Sequence, residues 1–221
     1  MGDGVRLWLA SASARRAEWI KAKLPENVAF EARPLLSEER VATIGAPVSA
    51  QVAQTLVEKV ANARVELSLM ARAIDEGVEG ASQLPDIVVV ADTLVEDPND
   101  PTIPLGKPSD PNSALTTLLR LRGRRHIVWS GTALLSPSAE NARVWHAQSW
   151  IEFATVEIEQ IGDDELAELV TSESWRGKAG GYDLAGPMGG HATLISGDEV
   201  CVLGLAATAT DVLFAMLEKP S

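Results

Sequence analysis

The sequence has few of the residues from which several common classes of catalytic site are built. It contains one cysteine in 221 residues, Cys201, which excludes an intrachain disulfide and favours a cytoplasmic setting. Its three histidines, at positions 126, 146 and 191, lack the spacing of zinc ligands. No serine stands in a nucleophile elbow, and Cys201 lies in an apolar run, residues 200–205, that predicts a strand with an inert thiol. The sequence therefore predicts neither a zinc site nor a serine or cysteine nucleophile.

Long apolar runs and an excess of positive charge are also missing. No apolar stretch approaches the roughly 20 residues that span a bilayer, and the N-terminus lacks the basic and apolar regions of a signal peptide. Asp and Glu number 31 against 19 Lys and Arg, which gives a formal net charge of -12. A surface that binds nucleic acid needs basic residues to release counterions. We therefore expect neither a membrane nor a nucleic-acid polymer as partner, whereas a small anion in a local basic pocket is compatible with this charge.

The residues that are present suit a mixed α/β fold. Apolar residues make up 46% of the chain, and no repeat or low-complexity linker divides it, so we expect one domain over residues 1–221. Strands are predicted at residues 5–10, 87–92, 126–135, 145–158, 192–195 and 200–205, the fourth antiparallel to the third. Helices are predicted at residues 14–24, 49–74, 163–170 and 208–219, and another from about residue 112. Because the elements alternate without a strict βαβ rhythm, the sheet is expected to be mixed.

An aspartate ends the most apolar of these predicted strands. The run Ile87–Ala91 is rich in β-branched residues, which is typical of a strand buried on both faces, and Asp92 follows it directly. In open α/β sheets, ligands collect just beyond the carboxyl ends of the strands. An ionised aspartate is costly to bury there unless a lysine, an arginine or a divalent metal lies near it. Asp92 is therefore either a site carboxylate or the cap of the next turn.

Basic residues occur at positions where a phosphate could bind. Arg15 and Arg16 follow Ser11 and Ser13 at a strand-to-helix turn, where amide groups, hydroxyls and guanidinium groups suit a phosphate. The alternative is an ordinary N-cap followed by solvated arginines. Lys59 projects beside the apolar stripe of the long second helix, so it either snorkels to the surface or reaches into a site.

Further charged residues lie in turns. Lys107 follows a glycine, which would let the backbone approach a ligand, although a plain surface turn is the alternative. Pro108 occupies the place of the Ser or Thr of a phosphate-cradling loop, which excludes a nucleotide-triphosphatase loop of the common kind. Lys178 precedes flexible glycines, and the acidic pair Glu38 and Glu39 is either a metal ligand or a solvated turn.

Taken in chain order, six short segments resemble the motifs of the Maf family, the septum-formation-inhibitor-like nucleotide pyrophosphatases. They are Leu9–Arg16 (LASASARR, similar to LASxSPRR), Val90–Thr93 (VADT, similar to ADT), Leu105–Pro108 (LGKP), Gly123–Gly131 (GRRHIVWSG, similar to GRxHxVxTG), Lys178–Tyr182 (KAGGY, similar to KAGxY) and Gly197–Leu205 (GDEVCVLGL, similar to GDxxxVxGLP). Each segment is a weak signal by itself. Six of them in the right order, over nearly the whole chain, are hard to obtain by chance.

The resemblance implies cleavage of a nucleoside triphosphate between its α and β phosphates, with Mg²⁺, or else Mn²⁺ or Co²⁺, as divalent cation. Carried over to this sequence, Asp92 is the catalytic residue, either the general base or the metal-linked carboxylate that activates water. The implied phosphate-binding residues are Ser11, Ser13, Arg15, Arg16, Lys59, Lys107 and Lys178, and the implied further metal ligands are Glu38 and Glu39. The implied architecture is an elongated mixed sheet flanked by helices, in two lobes around a cleft, as in the inosine triphosphate pyrophosphatases and often as a homodimer.

The residue pattern also bears on the substrate. At the position of Arg15, the sequence resembles the branch of the family that prefers dTTP and UTP. This resemblance predicts a pyrimidine or modified nucleoside triphosphate as substrate. Ala185 departs from that branch, which has at this position a glutamine suited to reading the pyrimidine. The alternative function is a nucleotide-binding regulator of cell division with little turnover, and a sugar-nucleotide or phosphoryl transferase is a third hypothesis.

Overall fold

Long antiparallel strands form the centre of the fold. The computed structural model describes residues 4–37, 45–81 and 83–218. Within these residues the strands are β1 (Arg6–Leu9), β2 (Ala29–Ala32), β3 (Ile87–Asp97), β4 (Asp100–Leu105), β5 (Arg124–Pro137), β6 (Trp145–Ile158) and β7 (Ala192–Ser196). They form one sheet in the order β2-β1-β3-β5-β6-β7, with β4 paired to β3. Because β1 is parallel to β2 and β3 while the other pairs are antiparallel, the predicted mixed α/β sheet is confirmed.

Helices flank this sheet. Those of the described residues are α1 (Ala14–Lys21), α2 (Val48–Asp75), α3 (Pro111–Leu121), α4 (Asp163–Thr171), α5 (Glu199–Leu203) and α6 (Ala207–Leu217). The glycine-rich segment between α4 and β7 contains only two short 3₁₀ turns, at Ala179–Gly181 and Pro187–His191. None of the described helices is both long and apolar enough to cross a bilayer.

The two faces of β3 belong to different parts of the core. Successive side chains of a strand point to opposite faces, so Val89 packs with α1 and α6 while Val88 packs with α2. Further along the strand, Val95 belongs to a third apolar cluster, which includes residues of α3 and α4. The polar pair Asp92–Thr93 lies between these clusters. The middle of β3 is therefore the place where the packed core gives way to polar side chains.

Two predicted elements differ from the observed ones. β3 does not end at Asp92 but continues beyond it, because the following residues pair with β5 in a register that sets Asp92 opposite Gly131. The apolar run at residues 200–205 is not a strand, since its first four residues belong to the short helix α5. The Asp198 side chain caps that helix, and Gly204 ends it with a φ of 116° that favours glycine.

Cys201 therefore lies in a helix, and the predicted strand around it was wrong. Its side chain is nevertheless buried, with the residue 1% exposed, and burial raises the pKa of the thiol to about 12. A thiol in this environment forms little thiolate, which is the nucleophilic species. The prediction that Cys201 is inert agrees with this position.

A buried histidine connects β5 to the glycine-rich segment. His126 and Tyr182 are each 3% exposed, His126 Nε2 lies 2.6 Å from the Tyr182 hydroxyl, and burial lowers the pKa of His126 to about 4. In the unfolded chain a histidine binds its proton near pH 6.5, so acid below that pH favours unfolding. We expect the free energy of unfolding to fall by about 3 kcal/mol on this account between about pH 6.5 and about pH 4.

Urea unfolding at a series of pH values measures this effect. Other groups also titrate, so the quantity to compare is the difference in unfolding free energy between the parent and His126→Gln, which should shrink as the pH falls. His146→Gln, at an exposed position of β6, is the control. Its unfolding free energy should change with pH in parallel with that of the parent. Parallel curves for His126→Gln as well would show that this histidine does not oppose folding in acid.

Candidate functional site

A cavity of about 400 Å³ opens over the middle of β3. We call it the central cavity. Its described lining includes the first residues of α1, one face of α2, and Asp92–Val95 of β3, together with Gly106 and Lys107 after β4. Asp92 thus lies inside a strand and not at its end, and because no turn follows it, the interpretation of Asp92 as a cap was wrong. The cavity lies at the polar stretch between the apolar clusters of the core.

Asp92 forms a shielded ion pair with Lys59. Lys59 Nζ lies 2.8 Å from Asp92 Oδ1 and also donates to the carbonyl oxygen of Ala91 at 3.3 Å. The two side chains are each 12% exposed, so water screens this pair poorly. Leu56 and Val60 anchor α2 in the core on either side of Lys59, which brings the lysine over the sheet. The lysine therefore reaches into a site, which was one of its two interpretations from the sequence.

Arg16 is held inside the wall of the cavity. Its guanidinium donates to Thr93 Oγ1 at 2.8 Å and to Ser11 Oγ at 3.1 Å. Ser13 caps α1 by accepting the Arg16 N–H at 3.4 Å, which confirms the predicted N-cap. A Cβ at Gly204 would lie 2.8 Å from Arg16 Nε, so only glycine leaves room for this arginine. The alternative of solvated arginines is wrong for Arg16, which is buried.

Arg15 and Lys178 converge on one carboxylate that sequence reasoning did not single out. Asp183 Oδ2 lies 3.4 Å from Arg15 Nη1 and 2.7 Å from Lys178 Nζ. Burial lowers the pKa of Arg15, while the charge of Asp183 acts in the opposite direction. Arg15 lines the central cavity, whereas Lys178 does not, although its neighbours Gly177 and Ala179 do. The structure thus brings six of the predicted phosphate-binding residues to the cavity and leaves Lys178 out of its lining.

The sequence interpretation missed several polar residues of the wall. Thr55, Glu58 and Asn62 of α2 line the central cavity beside Lys59, and Thr93 lies between Arg16 and β5. In the sequence, the three α2 residues lie four positions before, one before and three after Lys59. This spacing is the signal that could have identified them as residues of the site. Residues three and four apart share one face of a helix, so a lysine that enters a site brings these neighbours with it.

The predicted metal ligands divide between described and undescribed residues. Glu38 and Glu39 lie outside the residues that the structure describes, and the described part of the chain contains no group of three or more His, Cys, Asp or Glu side chains placed to hold a metal. Its cavity wall does carry two carboxylates, Glu58 and Asp92. Mg²⁺ is commonly bound by one or two carboxylates together with the phosphates of a substrate and water. These oxygen donors therefore fit a cation that arrives with a nucleotide.

Comparisons with known proteins agree with the order of the motifs. A family model described as Maf-like protein matches residues 6–218. A dTTP/UTP pyrophosphatase of Ruegeria is 35% identical over 151 residues, which cover 68% of this chain and 73% of the relative. A dTTP/UTP pyrophosphatase of Syntrophus aciditrophicus is 31% identical over 90% of this chain and 84% of its own length. A dTTP/UTP pyrophosphatase of Nitrobacter winogradskyi is 27% identical over 100% of this chain and 96% of its own length.

A solved structure is similar at a greater distance. The nucleoside-triphosphatase / dITP/XTP pyrophosphatase of Mycobacterium abscessus is 13% identical, with a TM-score of 0.43 over 96% of this chain and 95% of that one. This likeness is too distant to carry an argument about the site. The family model, in contrast, spans nearly every residue that forms the sheet and the central cavity. The chain belongs to the Maf-like protein family.

Proposed function

We propose that the protein is a nucleoside triphosphate pyrophosphatase, which hydrolyses the bond between the α and β phosphates and releases a nucleoside monophosphate and pyrophosphate. The observation that carries this proposal is the Lys59–Asp92 pair, held at 2.8 Å in a cavity that also presents Arg15, Arg16 and Lys107. A cluster of cations around one carboxylate suits a polyanionic substrate that is attacked by water. The names of the relatives support the same reaction class.

Each residue then has a separate task. Lys59 holds Asp92 Oδ1, so the carboxylate keeps a fixed orientation and its other oxygen, which has no hydrogen bond within the described residues, accepts the proton of the attacking water. Lys107 and the arginines of α1 neutralise the phosphates and stabilise the charge that develops on departing pyrophosphate. Asp92, with Glu58 or the undescribed Glu38 and Glu39, would hold a divalent cation, which when bound would neutralise further charge and make the water more acidic.

Finer features of the proposal rest on the relatives and on the sequence resemblance. The relatives are described as dTTP/UTP pyrophosphatases, which supports a pyrimidine nucleoside triphosphate as substrate. Mg²⁺ as the cation rests on the sequence resemblance alone. A homodimer and a cytoplasmic location stay predictions of the sequence, as does the single domain over residues 1–221. The role of Lys178 as a phosphate ligand also stays a prediction, and it requires this lysine to leave Asp183.

Pyrophosphate release from a panel of nucleotides, with and without Mg²⁺, tests the function. We expect a metal-dependent release of pyrophosphate and the matching monophosphate from at least one triphosphate, and no release from the corresponding diphosphate lacking that leaving group. Thermal stabilisation by nucleotides without any product would instead identify a nucleotide-binding regulator. Product that forms only when an acceptor other than water is added would identify a transferase.

A further inference from the structure

Three charged side chains meet beside the central cavity. Asp183 Oδ2 lies 2.7 Å from Lys178 Nζ and 3.4 Å from Arg15 Nη1, so two cations share one carboxylate oxygen. Arg15 lines the central cavity, whereas Asp183 does not. Arginine and lysine side chains that converge in this way are typical of sites that bind phosphoryl groups. The Asp183 carboxylate therefore stands, relative to these two cations, where an oxygen of a phosphate would stand.

The contact leaves polar atoms of both Asp183 and Arg15 poorly satisfied. Asp183 is 8% exposed, and its buried Oδ1 has no hydrogen-bond partner among the described residues. Arg15 Nη1 is also buried, and its distance of 3.4 Å from Oδ2 exceeds the roughly 2.7 to 3.2 Å of a normal N–H···O hydrogen bond. The contact thus neutralises charge with little geometric fit. An anion with several acceptor oxygens satisfies such cations better than one carboxylate oxygen does.

Lys178 has the freedom to change partners. Its neighbours Gly177 and Ala179 line the central cavity, so rotation of the flexible four-carbon stem brings the ammonium group towards that cavity. The backbone beside it is uncrowded, since a Cβ at Gly177 would meet nothing within 4 Å. The ion pair with Asp183 therefore holds the lysine in a position from which it does not contribute to the cavity lining.

We propose that Asp183 is an autoinhibitory counter-anion, which holds Arg15 and Lys178 until the phosphates of a nucleotide displace it. Two cations against one carboxylate leave an excess of positive charge, which attracts a polyanion to this place. Displacement leaves the shielded carboxylate without its cations, so the binding of phosphate carries a cost that Asp183 imposes. This inference rests on the proposed function, because that function places phosphates in the central cavity.

Inorganic pyrophosphate is the probe for a test, because it carries the phosphates without a base. Its binding is measured by calorimetry with a metal chelator present. Asp183→Asn keeps the shape of the side chain but removes the charge that competes for the cations, so we expect the Kd for pyrophosphate to fall by about tenfold, as for close charge pairs elsewhere. A Kd equal to that of the parent, or a higher one, would overturn the inference.

Asp163→Asn is the matched control for net charge. Asp163 also forms an ion pair, with Arg122 Nη1 at 2.6 Å, but its side chain is 91% exposed. The substitution changes the net charge of the protein by the same amount, at a place where water screens the pair. The Kd for pyrophosphate should stay within about twofold of the parent value. An equal gain in affinity in the two variants would reflect overall charge and would contradict a direct role of Asp183.

Lys178→Met, made in the parent and in Asp183→Asn, tests whether the carboxylate and the anion compete for the same lysine. In the parent, pyrophosphate gains Lys178 only by taking it from Asp183, whereas in Asp183→Asn the lysine is already released. Lys178→Met should therefore raise the Kd by a larger factor in the Asp183→Asn background. The same factor in both backgrounds would show that Asp183 does not withhold this lysine.

Gly186→Ala disturbs the contact without removing the charge. A Cβ at Gly186 would lie 2.3 Å from Asp183 Oδ1, so the carboxylate must shift, and pyrophosphate should again bind more tightly than to the parent. If Asp183→Asn is too unstable for calorimetry, this variant and the rise in melting temperature on adding pyrophosphate replace it. If no triphosphate releases pyrophosphate, the proposed function fails, but tighter pyrophosphate binding by Asp183→Asn would still support the counter-anion.

Discussion

Asp92→Asn is expected to abolish most pyrophosphate release while the protein stays folded. Asparagine keeps the shape of the side chain but cannot take a proton from water, and a positioned general base is commonly worth about 10² to 10⁴ in rate. The loss should fall on kcat, because Lys59, Lys107 and the arginines of α1 remain to bind the phosphates. Steady-state release of pyrophosphate from the preferred nucleotide measures it. Full activity in Asp92→Asn would remove this carboxylate from the mechanism.

Asp97→Asn is the matched control for that result. Asp97 lies on the same strand, is 3% exposed, and pairs with Arg120 Nη1 at 2.5 Å, but it does not line the central cavity. Its replacement also removes a buried charge from an ion pair, so it should lower the melting temperature while kcat stays close to that of the parent. Equal losses of activity in the two variants would indicate damage to the strand and not to a catalytic group.

The parts of the fold that could be predicted are those that local pattern determines. The apolar stripe of α2 and the antiparallel pair of β5 and β6 follow from side-chain periodicity and from a turn between the strands. The run Val200–Leu205 was misassigned, because a short apolar run has no periodicity that separates strand from helix. This run folds as a helix because Asp198 caps its start and Gly204, in a left-handed conformation, ends it. β3 was cut short because pairing with β5 tolerates a polar Asp92 within the strand.

The candidate site likewise combines features that local sequence predicts with contacts that it does not predict. The position of Lys59 on an apolar stripe, and the serines ahead of α1, are local features of the sequence that indicate a site. The contacts that complete it join residues far apart in the chain, such as Arg16 with Thr93 and Arg15 with Asp183. No spacing in the sequence encodes these partners, since tertiary packing brings them together. Asp183 is therefore recognisable only in the folded protein.

Removal of Lys59 has a second large expected effect, on both activity and stability. Lys59→Met keeps the length of the side chain but leaves Asp92 without its cation and removes one charge that faces the phosphates. We expect kcat/KM to fall by about 10² to 10³, in the range found when one electrostatic contact to the transition state is lost. Lys21→Met, at an exposed position in the last turn of α1, should retain the parent activity.

The stability of the double variant distinguishes the ion pair from a general effect of losing a lysine. Lys59→Met alone leaves a shielded carboxylate unpaired, which should cost about 1 to 3 kcal/mol of unfolding free energy. Adding Asp92→Asn removes that charge, so the double variant should unfold at higher urea than Lys59→Met, although it carries one more substitution. Strictly additive losses in this double-mutant cycle would show that the two side chains do not interact in the folded protein, and the orientation of Asp92 by Lys59 would then have no basis.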